Sequence, residues 1–398
     1  MPDMVAQTKP LHALTATEAL ALLQVSSVSI KDYALYLLAR VQEREATVKA
    51  WAYLDPKLVL EQARSLDRIS PDRRGPLHGV AVGIKDIMNT KDMPTEFGSP
   101  IYKGNRPLFD ASAVSILRTA GALIFGKTRT SEFAVANCGP PTTNPHDPAR
   151  TPGGSSCGSA AAVADLHVPL CLGVQTGGSV IRPASFTGVF AMKPTHNAVS
   201  LEGSKPCSPT FDTISFFARS VQDLQLVADV FALGSHDVPE KIEVDKMSIA
   251  LIKTPMWAQA GPGTVVAMEE ATSILEKEGA TVQQVPLPDA ISQTAALKRM
   301  LKVIISGEAR VTFLKEYRMD GGNLCEEIRN LVENTSNTTA KEQQEASDAL
   351  ARIRPLVDKL AVGYTAIPAP SAPDEAPLGL KDMGSPAFNT IWTACDPR

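Results

Sequence analysis

The chain has 398 residues, 44% of them hydrophobic and 21% charged, a composition that suits a large folded core and excludes a disordered or fibrous protein. A net charge of −4 and a pI near 5.9 argue against a nucleic-acid footprint, and the longest apolar runs are too short to span a bilayer. Met1 to Pro10 lacks the apolar centre of a secretion signal, and six scattered cysteines without a C-x-x-C pair read as free thiols, so a cytoplasmic location is expected.

In chain order, residues 15–45 read as two helices, the second capped by Ser29. Ala50 to Leu54 reads as a strand ended by Asp55-Pro56, with a charged helix following to about Ile69. Leu77 to Asp86 is a short apolar strand carrying Lys85 and Asp86 at its end. Asp110 to Thr119 reads as a helix and Ala122 to Phe125 as a buried strand. Gly188–Met192 and Ser248–Ile252 read as further strands, and about 265–278 as an amphipathic helix. From Asp289 to Val362 the chain is polar and helical, interrupted at Gly321-Gly322, and the proline-rich stretch 366–377 ends helicity. Alternating strands and helices predict an α/β fold around a sheet that is at least partly parallel.

Two Gly-Gly-Ser turns lie 24 residues apart, at Gly153-Gly154-Ser155 and Gly177-Gly178-Ser179. Glycines before a hydroxyl let backbone N–H groups approach a ligand, which suits acyl transfer through a serine and an oxyanion. A serine nucleophile needs a base. Gly154-Ser155-Ser156-Cys157-Gly158 matches the G-x-S-x-G elbow, but that arrangement needs a later histidine, and of His12, His78, His146, His167, His196 and His236 none lies beyond 236. Gly121 to Thr128 matches a phosphate-binding G-x-x-x-x-G-K-T loop, yet its middle residues read as the buried strand itself. No metal-ligand spacing occurs. Lys85 then has two readings: a buried amine that loses its charge and acts as a base, or a lysine paired with Asp86 at a solvated strand end.

Three blocks together resemble the amidase signature family: Gly79 to Asp86, the Gly-Gly-Ser-Ser-x-Gly-Ser-Ala run at 153–160, and Thr176-Gly177-Gly178-Ser179 with Arg182-Pro183-Ala184. Phe211-Asp212-Thr213-Ile214 and residues 370–373 extend the resemblance. It implies an amidase-signature fold, with a mixed central β-sheet covered by helices on both faces. It also implies one amidase domain over 1–398, with a core at about 48–255 and 360–394 and a helical pocket region at about 289–362.

The implied chemistry is amide hydrolysis through a Ser-cisSer-Lys triad. Ser179 is the nucleophile, Ser155 the bridging serine after a cis peptide bond, and Lys85 the base; the amides of Thr176, Gly177, Gly178 and Ser179 form the oxyanion hole, and no cofactor is needed. Arg182 is open between a fork for a substrate carboxylate and a contact that fixes its loop. Ser156 and Ser159 read as helix caps, Ser156 also as a triad-orienting group, and Cys157 as an inert thiol. Gln175 replaces an aspartate common in the family and is expected to bond within the loop. The expected partner is a small-molecule amide, with a homodimer also open and an amidotransferase role without support from any added module. Relatives usually continue past the match to residues 388–394 with further strands, so an open sheet edge and reduced solubility are expected. A catalytically silent, ligand-binding relative is the alternative.

Overall fold

A computed structural model describes residues 9–135, 139–234 and 242–395. Asn137, Cys138, His236 and residues 396–398 lie outside the described residues.

The first half of the chain contains α1 (Ala16–Gln24), α2 (Ile30–Val48), β1 (Trp51–Tyr53), α3 (Pro56–Asp67), β2 (Ala81–Lys85), α4 (Ser112–Thr119) and β3 (Leu123–Thr128). Next come α5 (Cys157–Ala164), β4 (Leu170–Gln175), α6 (Ile181–Thr187), β5 (Phe190–Met192), β6 (Thr213–Ala218) and α7 (Val221–Val230). The remainder holds β7 (Ser248–Leu251), α8 (Pro262–Lys277), β8 (Thr281–Gln284), α9 (Asp289–Ser292), α10 (Thr294–Thr312), α11 (Leu314–Asp320), α12 (Glu326–Glu333), α13 (Ala340–Ala361) and α14 (Ala387–Cys395).

Local chemistry explains the boundaries. The Ser29 hydroxyl accepts from the Asp32 amide at 2.9 Å and starts α2. Lys49 closes that helix in the left-handed conformation, and the Glu45 carboxylate then accepts from the amides of Ala50 and Trp51 to launch β1. Asp55 caps α3 with Pro56 at the first helical position, where the missing N–H costs nothing.

Six strands form one mixed sheet in the order β1-β3-β2-β4-β6-β5. β2 runs parallel to both β3 and β4, whereas the β1–β3, β4–β6 and β5–β6 pairs are antiparallel. Every residue of β2, β3, β4 and β6 is buried, as a sheet covered on both faces requires. Alternation assigns the faces. Leu170, Leu172 and Val174 of β4 join Val82, Ile84, Ile124 and Phe216 in a cluster with α4 and α7. Cys171 joins Leu123, Phe125 and Phe217 against α2, α3 and α5. A third cluster packs α10, α13 and α14 together through residues such as Leu301, Ile304, Leu350, Val357 and Ile391. The expected helical stretch 289–362 is therefore several helices, with a short 3₁₀ turn at Gly321–Asn323. Strands β6 and β8 are additions to the sequence reading.

Close approach decides one glycine in α5. A Cβ on Gly158 would collide with the Ala50 carbonyl and the Arg129 amide, and the Gly158 N–H donates to the Arg129 carbonyl at 3.1 Å. Gly158→Ala is expected to destabilise the fold by about 2–3 kcal/mol, the scale of a backbone clash in a packed interior. A urea midpoint unchanged from wild type would show that α5 can shift to make room.

Candidate active site

The site is built where the carboxyl ends of β2 and β4 meet the N-terminus of α5. Open sheets with parallel strands gather their functional groups at such ends. Lys85 is the last residue of β2 and is fully buried. Its Nζ donates to Ser155 Oγ at 2.7 Å and to Ser156 Oγ at 3.0 Å, with the Val174 carbonyl at 3.5 Å. The peptide bond between Gly154 and Ser155 is cis, the geometry that the resemblance implies at this bond.

Burial is the main influence on the Lys85 ammonium and lowers it from the usual value near 10.5 to about 7, with nearby Cys157, Asp212 and Cys207 opposing it. The pairing of Lys85 with Asp86 does not occur. Asp86 turns away and pairs with the buried Lys127 at 3.0 Å. That pair also disposes of the phosphate-loop match: Lys127 and Thr128 are strand residues in β3, with Lys127 Nζ bonded to Thr95 Oγ1 at 2.6 Å and to the Pro94 carbonyl at 3.2 Å. The G-x-S-x-G reading fails at its central serine, since Ser156 Oγ meets a lysine and no described histidine bonds to it.

The expected capping roles of Ser156 and Ser159 are corrected. Ser156 stands at the N-cap position of α5 without a side-chain cap bond. Its hydroxyl is held by Lys85 and points toward the Val174 carbonyl at 3.4 Å. Ser159 lies inside α5, its hydroxyl 2.7 Å from Thr128 Oγ1 and 2.8 Å from the Leu172 carbonyl, so it ties the helix to β3 and β4. Cys157 is buried, and loss of solvent raises its thiol to about 11, as an inert thiol requires.

The second Gly-Gly-Ser turn follows β4 directly. Ser179 is half-buried, and its carbonyl accepts from the Ser156 amide at 3.3 Å, joining the two serine turns through the main chain. The Ser179 hydroxyl makes no hydrogen bond among the described residues, and the amides of Gly177, Gly178 and Ser179 donate none. Those donors are available to an oxyanion. The turn itself is fixed on several sides. Gln175 Oε1 accepts from the amides of Val180 and Ile181 at 2.9 and 3.0 Å, as expected of a bond within the loop. Its Nε2 reaches Thr393 Oγ1 on α14 at 2.9 Å, and Thr393 donates to the Gly177 carbonyl at 2.7 Å. Thr176 donates to the Asp212 carboxylate, which also accepts from the amides of Cys207 and Ser208. Asp212 and Thr393 lie in segments that the resemblance includes, but their contacts to this turn join parts of the chain far apart in sequence and are not announced by local pattern.

Arg182 is buried and donates to the carbonyls of Gly154 and Gly384, both at 2.6 Å. Loss of solvent lowers its guanidinium to about 10, with Asp382 opposing. Of the two readings of Arg182, this geometry favours fixing the loop. Arg182→Ala is expected to lower kcat by about ten- to a hundredfold, since a shift of the Gly154 carbonyl moves Ser155 with it. Unchanged kcat with a raised KM would instead place Arg182 on the substrate. Beside Gly177 opens a cavity of about 400 Å³ whose walls come largely from α10 and α14.

A buried amine, two serine turns and amides without a described partner come together at one end of a mixed sheet. The chain matches the Amidase family over residues 32–389 and belongs to it. It is 36% identical over 300 residues to a glutamyl-tRNA(Gln) amidotransferase subunit of Chloroflexus aurantiacus, an alignment covering 70% of this chain and 61% of that protein. The corresponding chloroplastic/mitochondrial protein of Zea mays is 36% identical over 63% of this chain and 52% of its own length. The chain thus matches less than two thirds of the length of these relatives. Among solved structures, one described as an amidase superposes with a TM-score of 0.85 at 28% identity, covering 96% of this chain and 90% of the other. The structure of the Thermotoga maritima glutamyl-tRNA(Gln) amidotransferase subunit gives 0.76 at 26% identity, covering 97% and 86%. No described helix is long and apolar enough to cross a membrane.

Proposed function

We propose that the protein hydrolyses a small-molecule amide through an acyl-enzyme on Ser179. One observation carries the reading: a fully buried lysine, lowered to about 7, lies 2.7 Å from the hydroxyl of Ser155, in the segment joined by its backbone to Ser179. Neutral Lys85 accepts the Ser155 proton as Ser155 accepts that of Ser179, and Ser179 Oγ bonds to the amide carbon. The amides of Thr176, Gly177, Gly178 and Ser179 receive the oxyanion. When the carbon–nitrogen bond breaks, the proton on Lys85 returns through Ser155 to the leaving nitrogen, and ammonia or an amine departs. Water then attacks the ester, losing its proton to the same relay, and the carboxylic acid leaves. None of these steps requires a cofactor.

A second reading comes from the curated relatives. Their names as subunits of a glutamyl-tRNA(Gln) amidotransferase favour a chain that releases ammonia for transfer to a glutamyl-tRNA within a complex. The two readings separate on ammonia release from purified protein. Turnover of simple aliphatic or aryl amides with glutamine untouched supports the first; turnover of glutamine alone supports the second. Release from neither by folded protein overturns the hydrolase reading and leaves the ligand-binding alternative.

A further inference from the structure

The cavity beside Gly177 has an uneven chemistry that bears on substrate class. Residues four apart on a helix stand above one another, and α10 presents two such rows to it. One row, Leu297, Leu301 and Ile305, is apolar; the next, Lys298, Lys302 and Ser306, is polar. Met256 and Ile391 extend the apolar wall, and no carboxylate lines the cavity among the described residues. In a chain of net charge −4, two lysines one turn apart at an apolar cavity are a local departure from the surroundings. Arg299, between them in sequence, is engaged by Glu342 at 2.9 Å, whereas neither lysine forms an ion pair among the described residues. Both are exposed, so their stems can lie along the apolar wall while the ammonium groups face the opening.

We propose that this cavity receives the acyl half of an amide whose apolar chain ends in an anion, and that Lys298 and Lys302 select that anion. The acyl assignment rests on the hydrolase reading above. For a primary amide it follows from size, because ammonia as a leaving group needs no cavity of about 400 Å³, a volume in the range of small-ligand sites. Gly177 lines the cavity, so the turn that carries Ser179 borders the apolar volume. The cationic row supplies the charge complementarity that a plain hydrocarbon acyl group would leave unused.

The test uses octanedioic acid monoamide and octanamide, which share chain length and differ in the terminal carboxylate. Calorimetric binding to the Ser179→Ala protein is expected to favour the monoamide by about fivefold or more, the sum of two partly screened contacts. That preference is expected to shrink at about 0.5 M salt and to fall to about one when Lys298→Gln and Lys302→Gln are added to Ser179→Ala. Equal binding of the two amides, a preference that survives the double substitution, or no binding of either overturns the proposal. Turnover by the Ser179 protein is a separate arm. Selective binding without hydrolysis would sink the small-molecule amidase reading and with it the acyl assignment, leaving anion selection by Lys298 and Lys302 standing, whereas hydrolysis without selectivity would keep the catalytic reading and overturn the selection.

Discussion

Lys85→Met is expected to lower kcat/KM for amide hydrolysis by about a thousandfold or more, the upper range for removal of a positioned general base. The effect should fall on kcat, since Lys85 is behind Ser155 and fully buried, out of reach of a substrate in the ground state. Ser155→Ala should cost a similar factor, because Ser155 Oγ is the hydroxyl nearest the amine and, in the proposed mechanism, carries the proton between Lys85 and Ser179. The stronger statement concerns the pair. If Lys85 and Ser155 act in one relay, the double variant should be no slower than the slower single variant, since the second substitution removes a function already lost. Multiplying losses would mean that the two residues act independently. The conservative Lys85→Arg should not rescue: a guanidinium cannot give up its proton near neutral pH, and its planar fork does not fit a site made for one nitrogen between two hydroxyls.

The second large expectation is a dependence on pH. With the Lys85 ammonium lowered to about 7, kcat/KM should rise tenfold per unit below that value and level off above it. The same residue links pH to stability, with a definite sign. Between about pH 7 and 10.5 the unfolded chain holds a proton on Lys85 that the folded chain has released, so raising the pH through this window favours the fold. Below about 7 both states are protonated, and the full cost of the buried charge is felt. Lys85→Met removes the group from both states. Urea unfolding at pH 7, 8 and 9 should therefore show wild type gaining stability relative to Lys85→Met as pH rises. Parallel curves would mean that Lys85 titrates alike in the folded and unfolded states.

What the sequence displayed follows from where the information lies. Strands β2 and β3 are apolar runs bounded by glycine and charge, and caps such as Ser29 and Asp55 act on their own neighbours, so local pattern is enough for them. Lys85 was legible as a candidate base because a lysine at the end of a Gly-Val-Ala-Val-Gly-Ile run can be carried into the core, with a solvated strand end as the other reading. Whether it faced Asp86 or the serines was not, since adjacent strand residues point to opposite faces and only the packed sheet shows which face holds which partner. Asp86 meets Lys127 across β3, and Lys85 meets α5. Ser159 departs from its expected role for a related reason: the helix starts where its sequence places it, but the hydroxyl faces Thr128 and Leu172 across the core rather than the free amides of the first turn. β6 is a continuous buried run without alternation, and β8, Thr-Val-Gln-Gln, is polar and mostly exposed. The clamps on the Ser179 turn, from Asp212, Gly384 and Thr393, depend on chain segments up to 218 residues away. The blocks around Asp212 and Thr393 belong to the resemblance, but local sequence does not name the partner that each side chain meets.

The central claim is that Lys85, Ser155 and Ser179 form an assembled relay. Intact-mass spectrometry after treatment with a fluorophosphonate probe tests it most directly, comparing wild type with Ser179→Ala and Lys85→Met. The account predicts one adduct on wild type, mapped to Ser179, absent from Ser179→Ala and strongly slowed in Lys85→Met. An adduct on another serine, equal labelling of Lys85→Met, or no adduct on folded wild-type protein would contradict it.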